Sequence, residues 1–227
     1  MRYAISDIHG NAKTFDALLH EIQLSPSDEL YLLGDYIDRG PDSKGVIDRI
    51  IELQESGYHI YCNRGNHEAE SLRLHAKYKN DIRHSDWSRY WGGKETLDSY
   101  YSDRISDRHL SWMHDLSYYQ LLNDYILIHA GLNFRIPNPM TDTNPMLWLR
   151  HWYDDITTEA LDWLSGRTIV HGHVPISRSE IEFSLSPDWK LPVINIDAGC
   201  YKEDAGKGYL CALNLDEKEL TFLERLD

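Results

Sequence analysis

Short apolar runs, each followed by a polar loop and a helical pattern, recur three times in the first third of the chain. The predicted strands are Tyr3 to Ser6, Leu30 to Leu33 and Tyr58 to Cys62. Asn11 is placed to cap the first helix, and the second helix is predicted to end near Gly57. Three such units in succession predict a sheet of parallel neighbouring strands with right-handed crossovers. The polar loops would then lie along one edge of that sheet.

The pattern changes after this region. From about 81 to 115 the chain is rich in tryptophan, tyrosine, histidine and arginine, which predicts a helical cap inserted into the domain. Strand patterns resume at Tyr125 to Ile128 and at Thr168 to Val170. The remainder is predicted to form a second sheet without helical interruption, from strands at Val193 to Ile196, Tyr209 to Leu215 and Leu220 to Leu223.

A chain of 227 residues with 41% hydrophobic residues fits one large domain or two small ones, and we predict one globular domain spanning 1–227. The formal net charge of −14 argues against binding to nucleic acid or to an anionic membrane. An anionic substrate would therefore need positive potential from metal ions or from a few arginines. Cys62, Cys200 and Cys211 lack zinc-site spacing and are predicted to be buried thiols. Neither a signal peptide pattern nor a membrane-length apolar run is present, so we expect a cytoplasmic protein.

Residues of metal-ligand or phosphate-binding type follow five predicted strands. They are Asp7 and His9, then Asp35, Asp38 and Arg39, then Asn66 and His67, then His129, and finally His173. One histidine after a strand is commonly structural, but repetition at the same structural position favours a functional site. Carboxylate, imidazole and amide ligands without thiolates suit manganese, iron or zinc, and more than four ligands indicate two ions.

Two adjacent ions can share a carboxylate and a bridging hydroxide, and can clamp the attacking and leaving oxygens of a phosphoryl displacement. Asp35, in the central loop, is the expected bridge between them. His67 is placed to act as general acid, with Asp38 holding its other ring nitrogen. Arg39 would neutralise phosphate oxygens. Taken alone, the loop Gly34 to Gly40 is equally compatible with an acidic turn that carries a surface salt bridge.

The motifs SDIHG, GDYIDRG, RGNHE, HAGL and HGHVP, in this order and at these intervals, resemble the PPP branch of the calcineurin-like metallophosphoesterases. The similarity is greatest to its short bacterial and phage members, which include Ser/Thr protein phosphatases and symmetrical diadenosine tetraphosphatases. It spans roughly Arg2 to Ala198 and includes the cap segment Gly92 to Tyr100. The resemblance implies an α/β fold, a four-layer αββα sandwich of two mixed sheets.

The resemblance also implies a role for individual residues. The ligands of the first ion would be Asp7, His9 and Asp35, and those of the second Asp35, Asn66, His129 and His173. The catalytic and phosphate-binding residues would be His67, Asp38, Arg39, Asn66 and, in the looser motif LWLRHWY, Arg150. Val174 stands where the family usually has Thr or Gln, which removes one polar contact. His171 shares this loop, but the family pattern assigns the metal to His173.

The leading prediction is a Ser/Thr protein phosphatase with two divalent ions, manganese before iron or zinc, that acts on a phosphoprotein or a small phosphorylated substrate. Symmetrical hydrolysis of dinucleoside polyphosphates is the alternative. It is kept open by the cap's aromatic residues and by its arginines Arg73, Arg83, Arg89, Arg104 and Arg108. A non-catalytic phosphate-binding module would be expected to have lost a ligand or acid position, and none is lost. The acidic surface disfavours a nuclease, and the oligomeric state stays open.

Overall fold

The computed structural model describes residues 1–78, 82–101 and 104–227. In these ranges the strands are β1 (Arg2–Ile5), β2 (Glu29–Leu32), β3 (His59–Cys62), β4 (Tyr119–Leu121), β5 (Tyr125–Ile128), β6 (Thr168–His171), β7 (Val193–Asn195), β8 (Tyr209–Asn214) and β9 (Glu219–Glu224). The helices are α1 (Ala12–Glu21), α2 (Ser43–Glu55), α3 (Asn66–Tyr78), α4 (Asp86–Tyr90), α5 (Gly93–Asp98), α6 (Asp107–His114), α7 (Thr143–Trp148), α8 (Thr158–Leu164) and α9 (Arg178–Ser184). Short 3-10 turns lie at Pro139–Thr141 and Tyr153–Asp155.

Both sheets mix parallel and antiparallel strands. The first has five strands in the order β3, β2, β1, β8, β9, and β1, β2 and β3 are parallel, as predicted. The second has four strands in the order β4, β5, β6, β7, of which β5, β6 and β7 are parallel. The carboxyl ends of parallel neighbours lie at the same edge of each sheet, so loops that follow them are brought close together.

Alternate residues along each strand face different layers, which gives each sheet a core on both faces. On β1, Ile5 packs with α1 and α2, whereas Ala4 lies in the cluster between the sheets. On β5, Leu127 lies between the sheets, and Ile128 packs in the outer cluster with residues of α7 and α8. The layers are therefore helices, sheet, sheet and helices, which confirms the predicted αββα sandwich.

The segment predicted as a helical cap contains α4, α5 and α6. Its expected start, Asp81, lies outside the described residues. Trp87, Leu97 and Met113 are buried in the same cluster as the apolar faces of α1 and α2. The cap therefore shares the core of the first sheet and has a fixed position above the loops that follow β2 and β3.

The C-terminal part of the chain departs from the prediction in two ways. β8 and β9 do not join the second sheet, because β8 pairs antiparallel with β1 and extends the first. The strand pattern could not choose between sheets, since β8 is buried between neighbours and fits either. A helix, α9, also precedes β7, with a capping box formed by Ser177 and Glu180. Serine followed three residues later by glutamate is the helix-start signal that the prediction missed.

Asn11 precedes α1 as predicted, but its side chain does not cap the helix. Its amide donates instead to the carbonyls of Ile8 and His9, at 2.6 and 2.9 Å, and so braces the loop after β1. The three cysteines are free and buried, as predicted. Within the described ranges, no helix has the length and apolar character required to cross a membrane.

Asn63, which follows β3, ties the two sheets together. Its side-chain amide donates to the carbonyl of Leu127 on β5 at 2.9 Å, and its own carbonyl accepts from the hydroxyl of Tyr36 at 2.7 Å. The residue is fully buried. The ends of β3 and β5 are therefore held together, and each leads directly into a loop that carries predicted site residues.

Candidate metal centre and catalytic site

The loops that follow β1, β2, β3, β5 and β6 meet at one edge of the sandwich, and Asp35 lies where they converge. Its Oδ2 is 3.5 Å from Nε2 of His9, 3.5 Å from Nε2 of His129 and 3.9 Å from Nε2 of His67. These side chains are all buried. Ligating atoms of Asp35, His129 and His173 also lie within 4.8 Å of one another. The structure therefore brings together residues that are widely separated in sequence.

The surroundings of His129 fit a cation. Its Nδ1 donates to the carbonyl of Leu33 at 3.2 Å, so Nε2 carries no proton in the neutral ring, and burial lowers the pKa of this imidazole. That nitrogen faces Oδ1 of Asn66 at 2.9 Å and Nδ1 of His173 at 3.2 Å. In the described part of the chain, Nε2 of His173 has no hydrogen-bond partner although it is buried. Acceptor atoms that converge in this way fit a bound divalent ion.

His9 shows the same chemistry on the other side of Asp35. Its Nδ1 donates to the carbonyl of Ile37 at 2.8 Å, which leaves Nε2 unprotonated and 3.8 Å from Oδ1 of Asp7. Burial and the nearby Arg39 guanidinium hold the pKa of His9 well below its usual range. Asp7, His9 and Asp35 could therefore hold one ion, and Asp35, Asn66, His129 and His173 a second.

The backbone of this site is strained. Among the described residues, nine other than glycine have a positive φ, and six of these are predicted site residues: Asp7, His9, Asp35, Asp38, Arg39 and His173. Such conformations cost about 1–3 kcal/mol each and persist where surrounding contacts enforce them. Gly34 has a φ of 107°, and a Cβ there would lie 2.6 Å from the backbone nitrogen of Gly65. Only glycine lets these two loops approach so closely.

Glu68, on α3, enforces this conformation, a role that was not predicted. Its buried carboxylate accepts hydrogen bonds from the backbone N–H groups of Asp35, Tyr36 and Gly65 at 3.0, 2.8 and 2.9 Å. A longer bond of 3.3 Å comes from Ile37. The glutamate that ends RGNHE was the available signal, because a carboxylate so close to buried ligands needs several donors of its own.

His67 and Asp38 form the predicted contact, and the cap holds it. Nδ1 of His67 lies 2.6 Å from Oδ2 of Asp38. Asp38 also accepts from the indole N–H of Trp87 and from the hydroxyl of Thr96, each at 2.6 Å. Burial alone would lower the pKa of His67, but the carboxylates of Asp35 and Asp38 outweigh it and raise that pKa. The ring is therefore suited to carry a proton near neutral pH.

Two arginines adjoin the centre in different ways. Arg39 donates to Nε2 of His9 at 2.9 Å and approaches Nε2 of His67 at 3.1 Å, and its guanidinium carbon lies 4.0 Å above the ring of Tyr201. Arg150 is exposed and makes no hydrogen bond or ion pair with any described residue. Burial, His129 and Arg150 together lower the pKa of His173 to about 2. Arg150 is thus close enough to affect the centre electrostatically.

Two further residues near the centre bear on the ligand set: Asp197, which was not predicted as a site residue, and His171, which was not assigned to the metal. Asp197 follows β7 and is buried, its Oδ2 has no partner among the described residues, and burial with the nearby Asp7 raises its pKa. A carboxylate just after the apolar run ending at Ile196 is the same signal that identified the other loops. Both ring nitrogens of His171 are hydrogen bonded, to Tyr153 at 2.6 Å and to the Gly172 carbonyl at 2.9 Å. His171 is therefore not available as a metal ligand.

The cap contributes one aromatic ring to the mouth of the site. Trp87 is core, but Trp91 is half-buried, with its ring centre 5.8 Å from that of His67 and 5.7 Å from that of Trp148 on α7. Most of the cap arginines are paired with carboxylates. The pairs are Arg73 with Glu70, Arg83 with Asp98, Arg104 with Asp107 and Arg108 with Glu55.

This geometry agrees with the family comparison. The family model described as calcineurin-like phosphoesterase matches residues 3–200. The chain belongs to the calcineurin-like phosphoesterase family, and the matched residues 3–200 include every candidate metal ligand identified above.

The chain is also similar to named relatives. The chain is 33% identical over 139 residues to the symmetrical bis(5'-nucleosyl)-tetraphosphatase of Nitrosomonas europaea, a match that covers 60% of this chain but only 45% of that protein. It is 26% identical to the asymmetrical bis(5'-nucleosyl)-tetraphosphatase of Anoxybacillus flavithermus, over 95% of this chain and 90% of that one. A solved structure of a cold-active protein tyrosine phosphatase aligns with a TM-score of 0.63 at 18% identity, over 99% of this chain and 79% of that one. This last likeness concerns the fold.

Replacing Glu68 by glutamine tests whether this carboxylate holds the Asp35 loop. The amide would direct an NH₂ group at backbone donors, so we expect the free energy of unfolding in urea to fall by about 1–3 kcal/mol. Calorimetric titration should show weaker Mn²⁺ binding, because Asp35 is displaced. Glu70→Gln, two residues along α3 and paired with Arg73 on the surface, is the matched control. Equal behaviour of the two variants would show that Glu68 does not support the site.

Proposed function

We propose that the protein hydrolyses phosphoric esters or anhydrides with two bound divalent cations, manganese being the expected metal. The observation that carries the proposal is the buried convergence of acceptor atoms from Asp35, His129 and Asn66 next to the pair formed by His67 and Asp38. Bound cations would supply a nucleophile at neutral pH and neutralise charge on the phosphoryl group. Asp7, His9, Asn66, His129 and His173 would hold them, with Asp35 between.

The remaining residues would orient the substrate and move one proton. Arg39 would turn from its contacts with His9 and His67 to donate hydrogen bonds to phosphoryl oxygens, since a guanidinium fork matches their spacing. That movement frees Nε2 of His67 to donate a proton to the departing oxygen. Asp38 keeps the ring oriented through Nδ1 and is itself fixed by two cap residues. The cap therefore acts on the chemistry through Asp38.

We propose dinucleoside polyphosphates as the substrate class. Supporting this are the names of relatives, above all the asymmetrical bis(5'-nucleosyl)-tetraphosphatase, which this chain covers over 90% of its length. Arg150 adds support, because an unpaired exposed cation in a chain of net charge −14 is suited to additional phosphates. The products of a dinucleoside tetraphosphate would identify the bond that is cleaved. Symmetrical attack gives two nucleoside diphosphates, and asymmetrical attack gives a nucleoside monophosphate and a nucleoside triphosphate.

A phosphoprotein is the second candidate substrate, and one observation favours it. Arg73, Arg83, Arg104 and Arg108 of the cap region are paired with carboxylates, so they do not form the basic polyphosphate groove that a nucleotide enzyme could use there. A Ser/Thr protein phosphatase would need only the phosphoryl site and an open approach to it.

Replacing His67 by asparagine should slow the hydrolysis of substrates with poor leaving groups much more than that of substrates with good leaving groups. For an alkyl phosphate, whose alkoxide needs a proton, we expect kcat to fall about 10²–10⁴-fold. For p-nitrophenyl phosphate, whose leaving group departs without protonation, the loss should be much smaller. His114→Asn, at an exposed helix end, is the control. An equal loss on both substrates would remove His67 from the acid role.

The substrate proposal is tested with metal-stripped protein reconstituted with Mn²⁺, by comparing kcat/KM for diadenosine tetraphosphate and for a phosphothreonine peptide. We expect the dinucleotide to be preferred, and chromatography of the products identifies the bond cleaved. Preference for the peptide would replace the first candidate with the second. Hydrolysis of neither, with metal bound, would favour a non-catalytic phosphate-binding module.

A further inference from the structure

A cavity of about 220 Å³ lies beside the candidate metal centre, on the side of the second sheet. Val174, the residue that follows His173, and Arg150 both line it. Tyr153, His171, Ile176 and Asn195 form much of the remaining wall. Of these lining residues, only Arg150 has a role in the function proposed above.

The rings of this cavity are held in one arrangement. The ring centre of His171 lies 5.3 Å from that of Trp152 and 5.7 Å from that of Tyr153, and Trp152 and Tyr153 are 5.0 Å apart. Asn195 is held too, because its amide donates to the carbonyl of Val174 at 2.9 Å. Cavities with preformed aromatic and aliphatic walls and a few fixed polar groups are typical of small-molecule sites.

The hydrogen bonds of His171 and Tyr153 determine whether the cavity presents a donor or an acceptor to a ligand. Nδ1 of His171 donates to the carbonyl of Gly172, so Nε2 must accept, and the hydroxyl of Tyr153 is its donor at 2.6 Å. The hydroxyl proton of Tyr153 is therefore used in the bond to His171, and the hydroxyl oxygen can only accept a further hydrogen bond. Asp154, exposed at the rim, is a second acceptor. The cavity therefore favours a ligand that donates at this end and carries negative charge at the end near Arg150.

Size narrows the ligand further. The cavity volume of about 220 Å³ accommodates a planar two-ring heterocycle and is too small for a folded peptide segment. Val174 and Ile176 provide apolar contacts for the faces of such a ring. A purine with an exocyclic amine meets both requirements, whereas a purine with a carbonyl at that position would place a second acceptor against Tyr153.

We propose that this cavity binds the 6-aminopurine base of the substrate, with Tyr153 accepting from the exocyclic amine and Arg150 contacting the adjoining phosphates. The inference rests on the proposed function for its biological meaning, since it names the base that a dinucleotide would present. Base binding itself needs neither metal nor phosphoryl transfer. It can therefore be tested separately.

The test is NMR titration of the full chain with adenosine and with inosine, which differ in having an amine or a carbonyl at the discriminating position. We expect adenosine to shift the methyl signals of Val174 and Ile176 and to bind roughly tenfold more tightly than inosine, as one lost hydrogen bond to the partly buried hydroxyl oxygen of Tyr153 implies. Tyr153→Phe should abolish the preference. Tyr119→Phe, on the exposed edge strand β4, should retain it.

The other outcomes would contradict the aminopurine site, the role of Tyr153 or the proposed function. If wild-type protein binds the two nucleosides equally, or if neither shifts Val174 and Ile176, the cavity is not an aminopurine site, whatever the result with phosphorylated substrates. If Tyr153→Phe keeps the preference, Tyr153 is not the discriminating acceptor. If adenosine binds as expected but diadenosine tetraphosphate is not hydrolysed, the base site stands and the proposed function fails.

Discussion

A single buried carboxylate, that of Glu68, fixes the loop on which the candidate site is built. It accepts backbone hydrogen bonds from Asp35, Tyr36 and Gly65, and so joins the loop after β2 to the start of α3. Without such donors a fully buried carboxylate would be strongly destabilising. The same bonds hold Asp35 in a left-handed conformation that its side chain would not adopt freely. The two-sheet sandwich, with Asn63 bridging its sheets, then brings the remaining loops to Asp35.

The site concentrates features that each cost stability. Unprotonated nitrogens of His9 and His129 face carboxylate and amide oxygens, and the loops carry positive φ angles. Folding tolerates this arrangement because the surrounding core is large and because a bound cation would convert repulsion between acceptors into attraction. The cap also supports the site, because Trp87 and Thr96 donate hydrogen bonds to Asp38, which orients His67.

The parallel units at the N-terminus and the residues at the strand ends were predictable, because strand periodicity and loop composition are local signals. The assignment of β8 to the first sheet was not predictable, because the apolar pattern of β8 fits either sheet. Its sheet is determined by its pairing with β1, which is a tertiary contact. The helix α9 does have a local signal, the capping box of Ser177 and Glu180, although it was not predicted. Roles such as those of Glu68 and Trp87 depend on contacts across 30 or more residues, which no local pattern encodes. The cavity beside Arg150 is likewise a product of tertiary packing.

We infer that the acceptor atoms around Asp35 form one centre for two adjacent cations. Electron paramagnetic resonance of the Mn²⁺-saturated protein tests it most directly, because ions bridged by a carboxylate are exchange-coupled and their spectrum differs from that of isolated Mn²⁺. For two ions that share Asp35 we expect a coupled spectrum and a titration that ends at two ions per chain. A spectrum of isolated Mn²⁺, or saturation at one ion, would contradict it.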